Sequence, residues 1–103
     1  MKFQILDDGQ KIVFTFKDPL EAQDQQTLAT DMLKAVELLS ILPVVIDITD
    51  CMQFSHLGYG SIVTFRLSPN FLSQKVSLRY SSQKQHAIVS VLRLEHIFDL
   101  QPV

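Results

Sequence analysis

The stretch from Asp47 to His56 brings together two carboxylates (Asp47, Asp50), a thiol (Cys51), a hydroxyl (Ser55) and an imidazole (His56). Paired carboxylates are the raw material of general acid–base chemistry, which needs one of them held near a nucleophile or second base. No such partner stands at a recognisable spacing here, so Asp47 reads as a structural residue at a strand end, accepting backbone hydrogen bonds in the turn. His56, His86 and His96 with Cys51 lack the short pair spacings of a zinc set. No phosphate-cradling Walker loop is present. These residues imply neither catalysis, a metal nor a cofactor.

The segment Ser55-His56-Leu57-Gly58-Tyr59-Gly60 has a different promise. Ser55 reads either as a contact or switch point on an exposed loop or as the cap of a following helix. A helix amino end presents unpaired N–H groups and a positive dipole end, and so attracts anions. Gly58 and Gly60 leave the backbone approachable there. Ser61 and Thr64 are expected on the exposed side of that helix. Tyr59 and Phe65 are either interface anchors or core, with one of the two expected to face inward. Cys51 reads as a small buried apolar residue.

The elements that position this segment follow from hydrophobic periodicity. Phe3 to Leu6 and Lys11 to Lys17 are strand-like runs joined at Asp8-Gly9, a good hairpin turn because glycine takes the positive φ required. Asp18-Pro19 stops the second run. From about Leu20 to Ser40 the period becomes helical, with Leu28, Met32, Val36 and Leu39 on one face and Gln26, Thr30, Lys34 and Glu37 opposite. Asp18 or Asp24 is the candidate cap, and Pro43 ends the helix. Val44 to Ile48 is nearly all apolar and β-branched, as in a strand buried on both faces. A second helix is expected from about Gly58 to Leu67, a strand over Lys75 to Tyr80, a third helix over Ala87 to Leu92 and a last strand over His96 to Leu100. The order ββαβαβαβ implies a single-domain α/β fold, with a mixed, mostly parallel sheet and helices packed on it.

The bulk properties agree with one core. The chain has 103 residues, 47% of them apolar and 19% charged, with a formal charge of −2. Nine Lys and Arg, scattered along the chain, argue against a general nucleic-acid binder. A single cysteine excludes an internal disulfide and favours a reducing compartment, with the cytosol as the default. The longest apolar-rich stretch, Val36 to Ile48, is broken by Ser40, Pro43 and Asp47, so no membrane insertion is expected.

The element order and the middle of the chain resemble the STAS family. Its signature is a hydrophobic strand ending in Asp, a short turn, and Asp-Ser-Ser-Gly-Leu-Gly opening a helix. Val44-Val45-Ile46-Asp47-Ile48-Thr49 resembles that strand, Asp50 to Phe54 keeps the spacing without a gap, and Gly58-Tyr59-Gly60 falls at Gly-Leu-Gly. Ile88, Leu92, Ile97, Phe98 and Leu100 resemble the family's closing pattern. One departure stands out: Ser55 replaces the motif's Asp and His56 replaces the phospho-acceptor Ser, so regulation by the family's serine kinase does not carry over to His56. The resemblance implies a non-enzymatic regulatory module that docks on another protein through Ser55 to Gly60 and the helix side at Ser61 and Thr64. The implied partner is an anti-sigma factor or kinase, or a transport-complex subunit, and homodimerisation is left open. The alternative is a small-ligand or nucleotide-sensing domain.

Overall fold

A computed structural model describes residues 3–36, 42–69 and 74–103. Its central feature is a five-stranded sheet in chain order: β1 (Gln4–Asp7), β2 (Ile12–Lys17), β3 (Val44–Asp50), β4 (Val76–Tyr80) and β5 (Asp99–Pro102). β1 pairs antiparallel with β2 through the Gly9 turn, where φ is +83°, and the other three pairings are parallel. The helices are α1 (Ala22–Gln26), α2 (Leu28–Ala35), α3 (His56–Arg66) and α4 (His86–Val91), with a 3-10 turn at Leu94–His96. This is the α/β architecture expected from the sequence, a mixed and mostly parallel sheet with helices packed on it.

Strands β2 to β5 lie side by side in chain order, and the helices that connect them pack on one face of the sheet. The core forms there. Ile12, Phe14 and Phe16 of β2, Val44, Ile46 and Ile48 of β3, and Val76 and Leu78 of β4 join Leu28, Met32, Ile62 and Phe65 of the helices. Phe14 sits edge-on to Phe3 and Phe65, with ring centroids 5.2 and 5.7 Å away. Such pairs add roughly 0.5–1.5 kcal/mol beyond burial. The opposite face carries an aligned polar row, Thr15, Asp47, Arg79 and Gln101. Along it Arg79 pairs with Asp47 at 3.5 Å and donates to Gln101 Oε1 at 3.3 Å.

Three details differ from the sequence reading. The first expected helix is two pieces, broken at Thr27, and the part that included Glu37, Leu39 and Ser40 lies outside the described residues. The Thr27 hydroxyl bonds to the Asp24 carbonyl and the Asp31 carboxylate, a local alternative to the helix ladder. Neither Asp18 nor Asp24 caps this helix: Glu21 is at its start, and Asp24 lies inside α1. The last strand begins at Asp99, not His96, because Leu94 and Phe98 enter the core from a helical turn, with the Phe98 N–H bonded to the Leu94 carbonyl at 2.9 Å. Arg93, at a φ of +53°, makes the reversal between α4 and that turn.

Candidate functional site

β3 delivers the chain to the carboxyl rim of the sheet, and the segment from Cys51 to Gly60 begins there. Cys51 turns back on the strand end, its N–H bonded to the Ile48 carbonyl at 3.0 Å. Asp18, just after β2, then receives the N–H groups of Met52 and Gln53 at 2.9 and 2.8 Å. The aspartate considered as a helix cap thus fastens a loop more than thirty residues away in sequence.

Two buried glutamines do the rest. Gln25, on α1 and 2% exposed, aims its side chain at the loop. Its Oε1 accepts from the Ser55 N–H and hydroxyl, both at 2.8 Å, and from the Gly58 N–H at 3.1 Å. Its Nε2 donates to the carbonyls of Leu20 at 2.9 Å and Gln53 at 3.0 Å. Gln85, 4% exposed at the start of α4, grips the other flank. Its Nε2 donates to the Ile48 and Cys51 carbonyls at 2.7 and 3.2 Å, and its Oε1 accepts the Ser81 N–H at 2.8 Å. Buried amides must be paired, and these two are paired by holding the strand exit in place.

Ser55 is the N-cap of α3, its Oγ accepting the Leu57 N–H at 3.3 Å. The helix therefore starts two residues earlier than the expected Gly58. Its amino end is filled from within, because Leu57 and Gly58 give their N–H groups to Ser55 and Gln25. An anion seeking those two amides would have to displace protein oxygens.

The expected site residues divide by direction. His56, Gly60 and Thr64 are exposed, and Ser55 and Leu57 are half-buried. Gly58, Tyr59 and Ser61 are buried. Gly58 is not an open backbone surface: a Cβ there would lie 2.7 Å from Gln25 Oε1 and 2.9 Å from the Phe54 ring. At Gly60 a Cβ meets nothing within 4 Å. Ser61, expected on the exposed side, instead donates its hydroxyl to the Gln25 carbonyl. Tyr59 and Phe65 both face inward, where only one was expected, and Tyr59 stacks edge-on to Phe54 at 5.0 Å. Helix α3 is more deeply seated than its glycines suggest, since Gly58 brings it hard against Gln25 and Phe54.

The electrostatics describe a sealed base. Burial, then the Asp18 charge and a hydrogen bond to it, pushes the Cys51 thiol up to about 12. Burial also pushes the Tyr59 phenol up to about 12. Asp47 accepts the N–H and hydroxyl of Thr49 at 3.0 and 2.7 Å while pairing with Arg79, so its carboxylate is engaged on the helix-free face. Among the described residues no group of three metal-ligating side chains converges, and no helix is long and apolar enough to cross a membrane. Gln25 and Gln85 had no sequence signal, since a glutamine in a polar run such as Gln23-Asp24-Gln25-Gln26 reads as solvent-facing.

Comparison of the chain with known proteins finds no matching family model, no similar curated protein and no similar solved structure at a significant level.

Proposed function

We propose that this chain is a non-enzymatic regulatory module of the STAS type, which docks on a protein partner through the rim at residues 55–60 and the outer flank of α3. The supporting observation is the division along that segment. Ser55, Gly58, Tyr59 and Ser61 are fastened inward, while His56, Gly60 and Thr64 stand outward along the same helix. A surface already held in one geometry loses little freedom on binding, which favours recognition. Beside it lies an open groove of about 420 Å³ between α2 and α3, bordered by Gln26, Thr30, His56, Gly60 and Thr64. Its mixed polar and apolar walls suit a protein interface. The polar side chains nearby, Asp18, Gln25 and Gln85, hold backbone, which supports a scaffold role over a catalytic one. By resemblance the partner is an anti-sigma kinase or a transport-complex subunit, met in the cytosol.

The test is co-purification with His56→Glu and Thr64→Arg, two exposed positions whose only internal side-chain bond to be lost is the one from the Thr64 hydroxyl to the Gly60 carbonyl, within the same helix. Loss of the partner with unchanged melting supports the reading; full recovery with both variants removes this surface. Gly58→Arg is unsuitable, because the side chain would have to enter Gln25 and Phe54.

Ligand sensing is the second reading, favoured by one concavity. A cleft of about 490 Å³ lies among Phe3, Gln4, Thr15, Lys17, Leu20 and Asp24, a volume suited to a small molecule. Ligand-dependent melting that rises with nucleotide or metabolite concentration would favour it. A flat response across the panel would remove it.

A further inference from the structure

Strand β1 is an open edge of the sheet: among the described residues it pairs only with β2, and all its residues are exposed. Which of its backbone groups are free follows from the turn. The Asp8 N–H bonds to the Lys11 carbonyl, so those two residues form a hydrogen-bonded pair. Bonded pairs alternate along an antiparallel ladder, which makes Leu6 with Val13 and Gln4 with Thr15 the next ones. The N–H and C=O groups of Ile5 and Asp7 therefore point away from β2, into solvent.

Side chains line this edge on both faces. Ile5 lies opposite Phe14 on the helix side and Leu6 opposite Val13 on the bare side, and they are 38% and 61% exposed. Beyond Gln4 the edge opens into the cleft of about 490 Å³, whose apolar walls are Phe3, Pro19 and Leu20 and whose rim carries Lys17 and Asp24. The charges around the strand are of both signs but unequal. From Lys2 to Asp24 the sequence holds Asp7, Asp8, Asp18, Glu21 and Asp24 against Lys2, Lys11 and Lys17. Asp50 adds a further carboxylate beside Lys17 in the β2–β3 register. Each end of β1 is thus acidic on balance.

We infer that β1 receives an extended basic segment of a protein partner as an added strand. Its backbone pairs with Ile5 and Asp7, an apolar side chain enters the cleft at Phe3 and Leu20, and its Lys or Arg residues face Asp7, Asp8 and Asp24. Free backbone groups on a sheet edge select a strand over a helix or a lipid surface. The excess of carboxylates selects a basic strand. A second copy is disfavoured, because antiparallel self-pairing would set Asp7 and Asp8 of one chain against the Asp18, Glu21 and Asp24 end of the other. This edge is separate from the rim at residues 55–60 and does not depend on the docking proposed there.

The experiment is selection of a displayed library of short random peptides against the full chain. Enriched peptides should alternate β-branched with polar residues, carry Lys or Arg, and bind more weakly as salt rises. Their binding should protect the Ile5 and Asp7 amides from hydrogen exchange. Ile5→Pro removes an outward N–H without breaking a bond to β2, and should cost at least about tenfold in affinity with little change in melting. Asp7→Asn combined with Asp24→Asn keeps an oxygen for the Gly9 N–H, tests the charges without a proline, and should cost as much. No enrichment, enrichment of Asp and Glu, unprotected Ile5 and Asp7 amides, or affinity indifferent to the Asp7 and Asp24 pair overturns the inference. So does Ile5-dependent self-association in place of peptide binding. Thr64→Arg should leave the peptide bound; its loss with that variant would move the contact to α3 and retire the edge.

Discussion

Replacing Gln25 by alanine should unfasten the rim while leaving the sheet's own pairing intact. The side chain makes five hydrogen bonds from a position 2% exposed. Two of them, to the Leu20 carbonyl and from the Gly58 N–H, are in buried surroundings. Leaving such groups unpaired costs about 1–3 kcal/mol each. The other three are partly buried, where water can substitute, and contribute roughly 0.5–1 kcal/mol each. Gln25→Ala should therefore destabilise the fold by at least about 4 kcal/mol, the low end of those contributions together, a large share of the roughly 5–15 kcal/mol typical of a domain. At this size the melting temperature should fall by about 15–30 °C. Gln25→Met keeps the volume without donor or acceptor and should lose nearly as much, which separates hydrogen bonding from packing. Urea unfolding measures the total, and amide exchange at Ser55 and Gly58 locates it. A loss below about 1 kcal/mol in urea, with exchange at those two amides unchanged, would refute the idea that one glutamine holds the segment.

The two glycines of α3 should respond in opposite directions. Gly58→Ala forces a methyl into Gln25 and Phe54 and should destabilise by about 1–3 kcal/mol. Gly60→Ala enters open space within the helix and should stabilise by about 0.5–1 kcal/mol, both by chemical denaturation. The Cys51 thiol, pushed up to about 12, should resist iodoacetamide in the folded protein at pH 8 and react readily in urea. Both Cys51 and Tyr59 have folded values above their ordinary 9.0 and 10.0, so the unfolded chain releases those protons first. Their contribution is intact below pH 9 and should be lost as pH rises toward 12, seen as an alkaline fall in melting temperature. Cys51→Ala should remove the thiol's part of that fall.

The strands were legible because their residues face a single problem. Val44, Val45, Ile46 and Ile48 are apolar because this strand buries positions on both faces, Val44, Ile46 and Ile48 in the core beneath the helices and Val45 on the other side. Helix α3 was legible in kind but not in start or face, because Ser55 could be judged a cap or a contact without the partner that decides it. That partner, Gln25, is brought near by the crossover between β2 and β3, and a polar residue bonded across thirty positions leaves no periodic trace. Ser61 was misplaced for the same reason. Its hydroxyl suggests solvent, yet it meets the carbonyl of Gln25 inside the fold. His96 was assigned to a strand because short apolar runs do not separate a period of two from a turn of helix. The spacing of Leu94 and Phe98 decides it once the core is known.

Filling the amino end of α3 from within changes what the His56 position can do. In an open helix end, an added negative charge would find amides to bind and would be stabilised by them. Here Ser55 Oγ and Gln25 Oε1 already take the Leu57 and Gly58 amides, so a charge placed at His56 would meet acceptor oxygens on its inner side and could find compensation only outward. His56→Glu should accordingly leave stability within about 0.5 kcal/mol of the parent, as surface changes do. A stability gain well beyond that range would mean the helix end can still receive an anion. The rim is thus better suited to presenting a fixed shape than to binding a phosphate, and a partner that reads it must recognise the side chains of His56 and Thr64 and the notch at Gly60.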